Sequence, residues 1–333
     1  MIISLERTRI RASPEPGQNR MQAFISLLVF LLIVHLVRNF LANRVTASPP
    51  PEAFEGELYL VDGSYVAKRH CRSTPTRTVI CVPGFLEDMR YFFELYADQE
   101  LELILLNNAN YHCPVAINEI RTLSNPQANP FQPGTIAYDG YILNQIIQQL
   151  ASTDNITVHG HSRGGAVVLE AGKQAPEITG RCHAILEAPV VPRGRLSRGN
   201  RKLLRYGGYY FVPILFSVLR VIPPALIRMS PLLRVSTPYK EKMICNLAFT
   251  PRQFSTAVIN IRDIERWQTR NDVGLYKNYR TTTMLIGERD GILSRNSMLK
   301  SAQESTCVDV VETRGTDHFI SVERPELVRA VFS

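Results

Sequence analysis

From residue 57 onward, short apolar runs rich in β-branched residues alternate with longer segments whose apolar residues recur at helical spacing. Several of the short runs are apolar on both faces, as parallel strands covered by helices on either side require. This order predicts an α/β fold. The predicted strands are 57–61, 64–68, 78–82, 101–106, 156–160, 182–187, 281–287 and 307–312. The predicted helices are 86–98, 136–151, 164–174, 294–303 and 324–332.

One long segment interrupts the alternation between Glu187 and Thr281. It is far too long for a simple connection and is mostly helical in character, so we expect an inserted cap over residues 191–278. Residues 193–242 carry eleven Lys and Arg against one acid, a net charge of +10 in a chain of +8.

The basic residues of this cap are mixed with long apolar stretches, a combination that suits contact with an anionic lipid surface. In the alternative interpretation, the apolar residues pack over the sheet and the arginines are solvated. Proline and aliphatic residues separate the charges, so we expect no nucleic-acid partner.

A separate apolar run, "AFISLLVFLLIVHLV", occupies residues 23–37 and is extended by "RNFLA". About twenty apolar residues are at the short end of what spans a bilayer. We expect a transmembrane anchor at 23–43, preceded by a basic tail at 1–22 and followed by a proline-rich linker at 44–56. The alternative is a cleaved signal peptide, but the small residues that resemble a cleavage site lie far beyond the apolar run.

The arginines beside the anchor favour one orientation. Four precede it and two follow it closely, so the positive-inside rule places the body outside the cytoplasm. The six cysteines do not identify the compartment, and a disulfide between Cys71 and Cys113 stays open for an exported body.

The stretch "GHSRGG" places Ser162 between Gly160 and Gly164, where a predicted strand ends and a predicted helix begins. A nucleophilic serine on such a turn needs glycines on either side, because Cβ atoms there would collide. The serine also needs a histidine to take its proton and an acid to orient that histidine. Asp290 and His318 each follow a late predicted strand, in the chain order that this arrangement requires.

An oxyanion hole needs two backbone N–H groups. We expect one from Arg163, directly after the serine, and the other from Phe85 in the loop "PGFLED". The Arg163 side chain either turns aside, as is more usual at that position, or contacts an anionic group of the substrate.

The sequences "GHSRGG", "RDG" and "DHF" resemble the α/β-hydrolase family, and the resemblance covers residues 57–333. It implies a doubly wound, mostly parallel eight-stranded sheet, here from 57–190 and 279–333, with a cap over the active site. It also implies no cofactor or metal and acyl transfer to water through a covalent serine ester. Many relatives carry His-Gly where this chain has Pro83-Gly84, a small departure because the donor is a main-chain amide.

Other residues compete for these roles. Glu187 follows a strand at a position that some relatives use for the acid, whereas Asp317 is better placed to cap its own loop. His161 adjoins the nucleophile and is expected to point away from it. The catalytic set is therefore predicted as Ser162, Asp290 and His318.

These residues predict a membrane-anchored serine hydrolase, esterase-like or lipase-like, that cleaves a carboxylic ester or thioester with an apolar acyl group. The expected partners are that substrate and a lipid surface. Two alternatives remain open: an acyltransferase that uses the same triad, and a non-catalytic binding protein on the same scaffold.

Overall fold

The computed structural model describes most of the chain outside the N-terminus and the middle of the cap. The described residues are 16–44, 50–71, 73–117, 119–123, 127–197, 210–211, 213–214, 217–218, 223–229, 237–245 and 250–332. Much of the predicted basic tail, residues 45–49 of the predicted linker and most of 198–236 in the predicted cap therefore lie outside the described residues. The domain boundaries given above stay predictions.

All eight predicted strands are present, and short strands are added to them. In chain order the strands of the described residues are β1 (Glu52–Ala53), β2 (Gly56–Val61), β3 (Ser64–Arg69), β4 (Thr78–Val82), β5 (Glu102–Leu106), β6 (Val115–Ala116), β7 (Ile120–Thr122), β8 (Ile156–His161), β9 (His183–Glu187), β10 (Thr281–Gly287) and β11 (Val308–Thr313).

One large sheet has the strand order β11-β10-β9-β8-β4-β5-β3-β2-β7, and β1 pairs with β6 apart from it. The six strands from β11 to β5 are mutually parallel, whereas β3 is antiparallel to both of its neighbours. In the described residues this sheet has nine strands, where the resemblance implies eight. The unpredicted strand in it is β7, which has three exposed residues at the sheet edge and hence no apolar signal. The two-residue strands β1 and β6 were also not predicted.

All five predicted helices are found, and the bounds differ by more than two residues only for 86–98 and 324–332. The helices that the structure describes over their whole length are α1 (Pro16–Asn43), α2 (Phe93–Tyr96), α3 (Ile136–Gln149), α4 (Arg163–Gln174), α5 (Pro176–Thr179), α6 (Pro224–Arg228), α7 (Pro238–Cys245), α8 (Pro251–Arg270), α9 (Arg295–Gln303), α10 (Ile320–Glu323) and α11 (Pro325–Arg329). The segment predicted as one helix over 86–98 is a 3-10 turn at Met89–Phe92 that continues into the single turn of α2.

Apolar clusters cover both faces of the sheet, as a doubly wound fold requires. One contains Ile146 of α3 and Val167 of α4, and the other contains Leu95 of α2 and Ile320 of α10. Every residue of β4, β5 and β8 is buried between them. The carboxyl ends of the parallel strands share one edge, which is where ligands bind in such sheets.

Helix α8, in the predicted cap, is fixed to the core by buried polar contacts. Asn260 accepts a hydrogen bond from the Tyr111 hydroxyl at 2.7 Å, and the Trp267 indole donates to Glu170 at 2.8 Å. Because a buried polar group without a partner is costly, these pairs define where α8 sits.

Helix α1 is long and apolar enough over Arg20–Asn43 to cross a membrane, and none of its most apolar stretch is buried against the protein. This finding is compatible with an anchor or a signal sequence. Near its C-terminal end, α1 contacts the predicted cap: His35 Nδ1 lies 2.8 Å from the Tyr210 hydroxyl, and the Arg38 guanidinium lies 4.9 Å from the centre of the Tyr210 ring.

Candidate active site

Ser162 lies on a sharp turn between β8, which ends at His161, and α4, which begins at Arg163. Its φ of +51° is in a region that non-glycine residues rarely adopt. The turn is tight enough to demand glycine on both sides. A Cβ on Gly160 would lie 2.5 Å from the carbonyl oxygen of Gly164, and one on Gly164 would lie 2.1 Å from that of Val82.

The structure brings the three predicted side chains together in one hydrogen-bonded chain. His318 Nε2 lies 2.9 Å from Ser162 Oγ, and His318 Nδ1 lies 2.8 Å from Asp290 Oδ2. Ser162, Asp290 and His318 follow the ends of β8, β10 and β11, respectively. These strands lie close together in the sheet, in the order β11-β10-β9-β8. Both distances are within the reach needed for proton transfer and for orienting the imidazole.

Asp290 is held by its own loop. Its second oxygen, Oδ1, accepts hydrogen bonds from the amides of Ile292 and Leu293, both at 2.8 Å. Burial alone would raise the pKa of Asp290, but the neighbouring His318 and these two amides lower it below its ordinary value. The carboxylate is thus ionised, with one oxygen left for the imidazole.

The loop that carries His318 packs tightly on the end of β10. A Cβ on Gly287 would lie 2.0 Å from the carbonyl oxygen of Asp317, so only glycine fits there. Asp317 Oδ1 accepts a hydrogen bond from the Phe319 amide at 2.8 Å, which is the loop-capping arrangement expected for it.

The two amides expected to form the oxyanion hole flank the serine. The loop after β4 lies against Ser162, since a Cβ on Gly84 would be 3.0 Å from the serine Cβ. In the described part of the chain, neither the Phe85 amide nor the Arg163 amide has a hydrogen-bond partner. The Arg163 amide is also the first of α4, where the positive end of the helix dipole lies.

The Arg163 side chain turns away from the serine into the core. It is fully buried and its guanidinium lies 2.7 Å from Asp139 Oδ2, 3.0 Å from Asn108 Oδ1 and 3.1 Å from the Gly134 carbonyl oxygen. A guanidinium held in this way does not reach a substrate. The geometry therefore matches the interpretation in which the Arg163 side chain turns aside, and not the one in which it contacts an anionic substrate group.

Glu187, the alternative acid, lies with other partners. Its carboxylate accepts hydrogen bonds from the Tyr91 hydroxyl at 2.6 Å and the Ser321 amide at 2.6 Å, and lies 3.0 Å from His159 Nε2. These contacts occupy it beneath the site, whereas Asp290 is the carboxylate in contact with His318.

Two residues near the site were missed by the sequence analysis. Glu87 accepts a hydrogen bond from the Gly84 amide at 2.7 Å and also contacts His161. Lys240 of α7 is fully buried, 2.7 Å from Asp317 and 2.8 Å from Glu323. No local signal separates Lys240 from the other basic residues of its segment, because its partners lie more than seventy residues away in the chain.

Cys71 and Cys113 are both free thiols, so the disulfide left open for them is not formed. Among the described residues, no group of three or more His, Cys, Asp or Glu side chains is arranged to hold a metal ion.

Solved structures of the same fold have similar lengths but distant sequences. An esterase from Rhodococcus sp. ECU1013 has a TM-score of 0.59 at 16% identity, over 83% of this chain and 96% of its own. An esterase from Exiguobacterium antarcticum has a TM-score of 0.59 at 15% identity, over 84% of this chain and 100% of its own. A hydrolase from Pseudomonas aeruginosa PA01 has a TM-score of 0.56 at 15% identity, over 81% and 94%.

No curated protein sequence gives a significant match. The model of the alpha/beta hydrolase family matches residues 79–331, which is most of the chain and contains the serine turn, Asp290 and His318. With the strand order and the edge at which these loops meet, this match shows that the chain belongs to the α/β hydrolase family.

Proposed function

We propose that this protein is a serine hydrolase that cleaves a carboxylic ester or thioester with an apolar acyl group. The single observation that carries the proposal is the hydrogen-bonded chain from Ser162 through His318 to Asp290. A serine, a histidine and an ionised carboxylate in this order form the arrangement that activates a serine for attack on a carbonyl.

In the proposed reaction, Ser162 Oγ attacks the carbonyl carbon while His318 Nε2 takes the hydroxyl proton. The Phe85 and Arg163 amides donate hydrogen bonds to the negative oxygen that develops. Collapse breaks the bond to the leaving alcohol or thiol, which receives the proton from His318, and an acyl ester of Ser162 remains. Water then attacks this ester with His318 again as base, which releases the carboxylic acid and restores the serine.

The choice of an ester with an apolar acyl part is supported by two observations. Two of the structural neighbours are named as esterases. The apolar helix α1 also provides a means of holding the site close to lipid.

The direct test is hydrolysis of p-nitrophenyl esters with acyl chains from two to sixteen carbons by the full chain. We expect turnover, with kcat/KM higher for a longer apolar chain than for acetate, because each buried methylene contributes about 0.8 kcal/mol. A protein that hydrolyses none of the esters, or that prefers acetate to every longer acyl chain, would contradict the proposal.

We also propose that α1 anchors the protein in a membrane with the catalytic body outside the cytoplasm, and that the cap lies on the lipid surface. Tyr210 and Arg38, which are in contact, are residue types that prefer the interface. Other described cap side chains are apolar and exposed, namely Phe211, Val218, Leu226 and Met229. An anchor in contact with the cap keeps this surface close to the bilayer.

Membrane attachment predicts that the full chain resists extraction by alkaline carbonate and that its body is open to protease added outside the cell membrane.

For the cap, the full chain with Met229→Trp is reconstituted in vesicles that contain brominated lipid. The chain's own tryptophan, Trp267, is buried. We expect strong quenching at position 229 and little in the matched Val310→Trp variant at an exposed position of β11. Equal quenching of both variants would exclude cap contact.

A further inference from the structure

His161 is the last residue of β8 and directly precedes Ser162, yet it is not part of the hydrogen-bonded chain of Ser162, His318 and Asp290. The side chain is fully buried. Its Nδ1 lies 2.7 Å from Glu87 Oε2, and its Nε2 lies 2.9 Å from the main-chain carbonyl oxygen of His318. The expectation that His161 points away from the nucleophile therefore leaves out its contact with the catalytic loop.

Both partners of the ring are hydrogen-bond acceptors. A main-chain carbonyl has no proton to give, and Glu87 already accepts a hydrogen bond from the Gly84 amide on the same oxygen. A neutral imidazole carries one N–H and satisfies only one of these acceptors. Because imidazole is a stronger base than carboxylate, the shared proton belongs on His161, which is then a cation with two N–H donors.

The surroundings of the ring favour that cation. Glu187 of β9 adds a second negative charge. Burial alone would raise the pKa of Glu187, but its contacts with His159 and Ser321 lower that pKa to about 2, so its carboxylate stays charged. The Tyr91 ring stacks on the imidazole with 4.2 Å between centroids. The His318 ring is also near, at 4.9 Å. Burial alone would lower the pKa of His161, but Glu87 and then Glu187 raise it to about 9.

The contacts of His161 join two parts of the candidate active site. Through Glu87 it is connected to the Gly84 amide, one residue before the proposed oxyanion donor Phe85. Through its other nitrogen it holds the main chain of His318. The position of the base and the position of the oxyanion loop thus depend on one ring with both nitrogens protonated.

We propose that His161 is a positioning residue whose imidazolium form ties the His318 main chain to the oxyanion loop, and that loss of its proton at alkaline pH loosens the site and lowers kcat. The proposal rests on the proposed function, since it concerns the same serine site. Activity is expected to fall, not rise, with increasing pH, because the protonated form of His161 is the one that holds the two loops in place. The contribution of His161 is present while its imidazole is charged and is lost as the pH rises through about 9.

The test is the pH dependence of kcat and KM for p-nitrophenyl ester hydrolysis by the full chain and by two variants. His161→Asn keeps an amide near the position of Nδ1, and His161→Gln keeps one near that of Nε2, but neither carries the charge or both donors. We expect kcat to fall between about tenfold and 100-fold at neutral pH with KM changed less, since small misplacement of catalytic groups has effects of that size. The fall in activity near pH 9 disappears in both variants.

The matched control is His159→Asn. His159 lies on the same face of β8, is equally buried and also pairs with a carboxylate, but it contacts Tyr96 and Glu187 instead of the catalytic loop. We expect this variant to keep the alkaline fall at its wild-type position. An alkaline fall that stays in place in His161→Asn and His161→Gln would overturn the proposal.

A measurement on the wild-type chain does not depend on the variants folding. Deuterium exchange at the imidazole C2 position, read by mass spectrometry with fragment ions that separate His161 from His159, reports the protonation of each ring. A midpoint near pH 9 for His161 supports the proposal, and a midpoint near the ordinary histidine value of about 6.5 overturns it. If the wild-type protein shows no hydrolysis that depends on Ser162, the proposed function is contradicted. The exchange midpoint of His161 still decides whether its ring is protonated.

Discussion

Ser162→Ala is expected to reduce ester hydrolysis by at least about 10⁴-fold, because it removes the oxygen proposed to form the acyl intermediate. The same variant should lose labelling by a fluorophosphonate probe, which reacts with activated serines. The remaining Asp290, His318 and oxyanion amides account for a small residual rate above that of water. The measurement is kcat/KM on a p-nitrophenyl ester together with the rate of probe labelling.

The control for this variant is its unfolding temperature. Ser162 is strained at φ +51°, and its side chain contacts only the imidazole in the hydrogen bonds described. We therefore expect Ser162→Ala to stay folded with little change in stability. A folded Ser162→Ala that hydrolyses esters at the wild-type rate would show that the nucleophile lies elsewhere.

Asp290→Asn is expected to reduce kcat by about 10³-fold to 10⁴-fold, as removal of the orienting charge does in serine proteases. The structure fixes how the new amide lies. The Ile292 and Leu293 amides donate to one side-chain oxygen, so the Asn oxygen takes that place and its NH₂ faces His318 Nδ1. The imidazole is then held with its proton on Nε2, where it cannot accept the proton of Ser162.

The matched control is Asp317→Asn, which changes the neighbouring carboxylate in the same way. Asp317 contacts Lys240 and the Phe319 amide, and it lies beside His318 in sequence without orienting its ring. We expect a much smaller loss of kcat than for Asp290→Asn, measured on the same ester. A larger loss of kcat in Asp317→Asn than in Asp290→Asn would show that Asp290 is not the acid.

The central sheet and the serine turn could be predicted from the sequence for physical reasons. A buried parallel strand must be apolar along its whole length, as β4 and β8 are, and this pattern is visible without knowing any neighbour. The glycines around Ser162 are required by contacts within a few residues, since Gly160 meets Gly164 directly. Local rules were enough for these elements.

Contacts that depend on distant parts of the chain could not be predicted in this way. Lys240 is one of several basic residues in the predicted cap, and only the folded chain shows that its ammonium is buried against Asp317. His161 follows the strand pattern, and the role proposed for it depends on a carbonyl 157 residues away. Strand β7 carries no apolar pattern because all three of its residues are exposed at the edge.

The most direct test of the account is the identification of the residue that becomes acylated. The full chain is incubated with a fluorophosphonate or a slowly hydrolysed ester, digested and analysed by mass spectrometry. The proposed reaction predicts one modified serine, at position 162, whose modification is lost in His318→Ala. Modification at another residue, or equal modification of Ser162 in His318→Ala, would contradict the assignment of Ser162 as a nucleophile activated by His318.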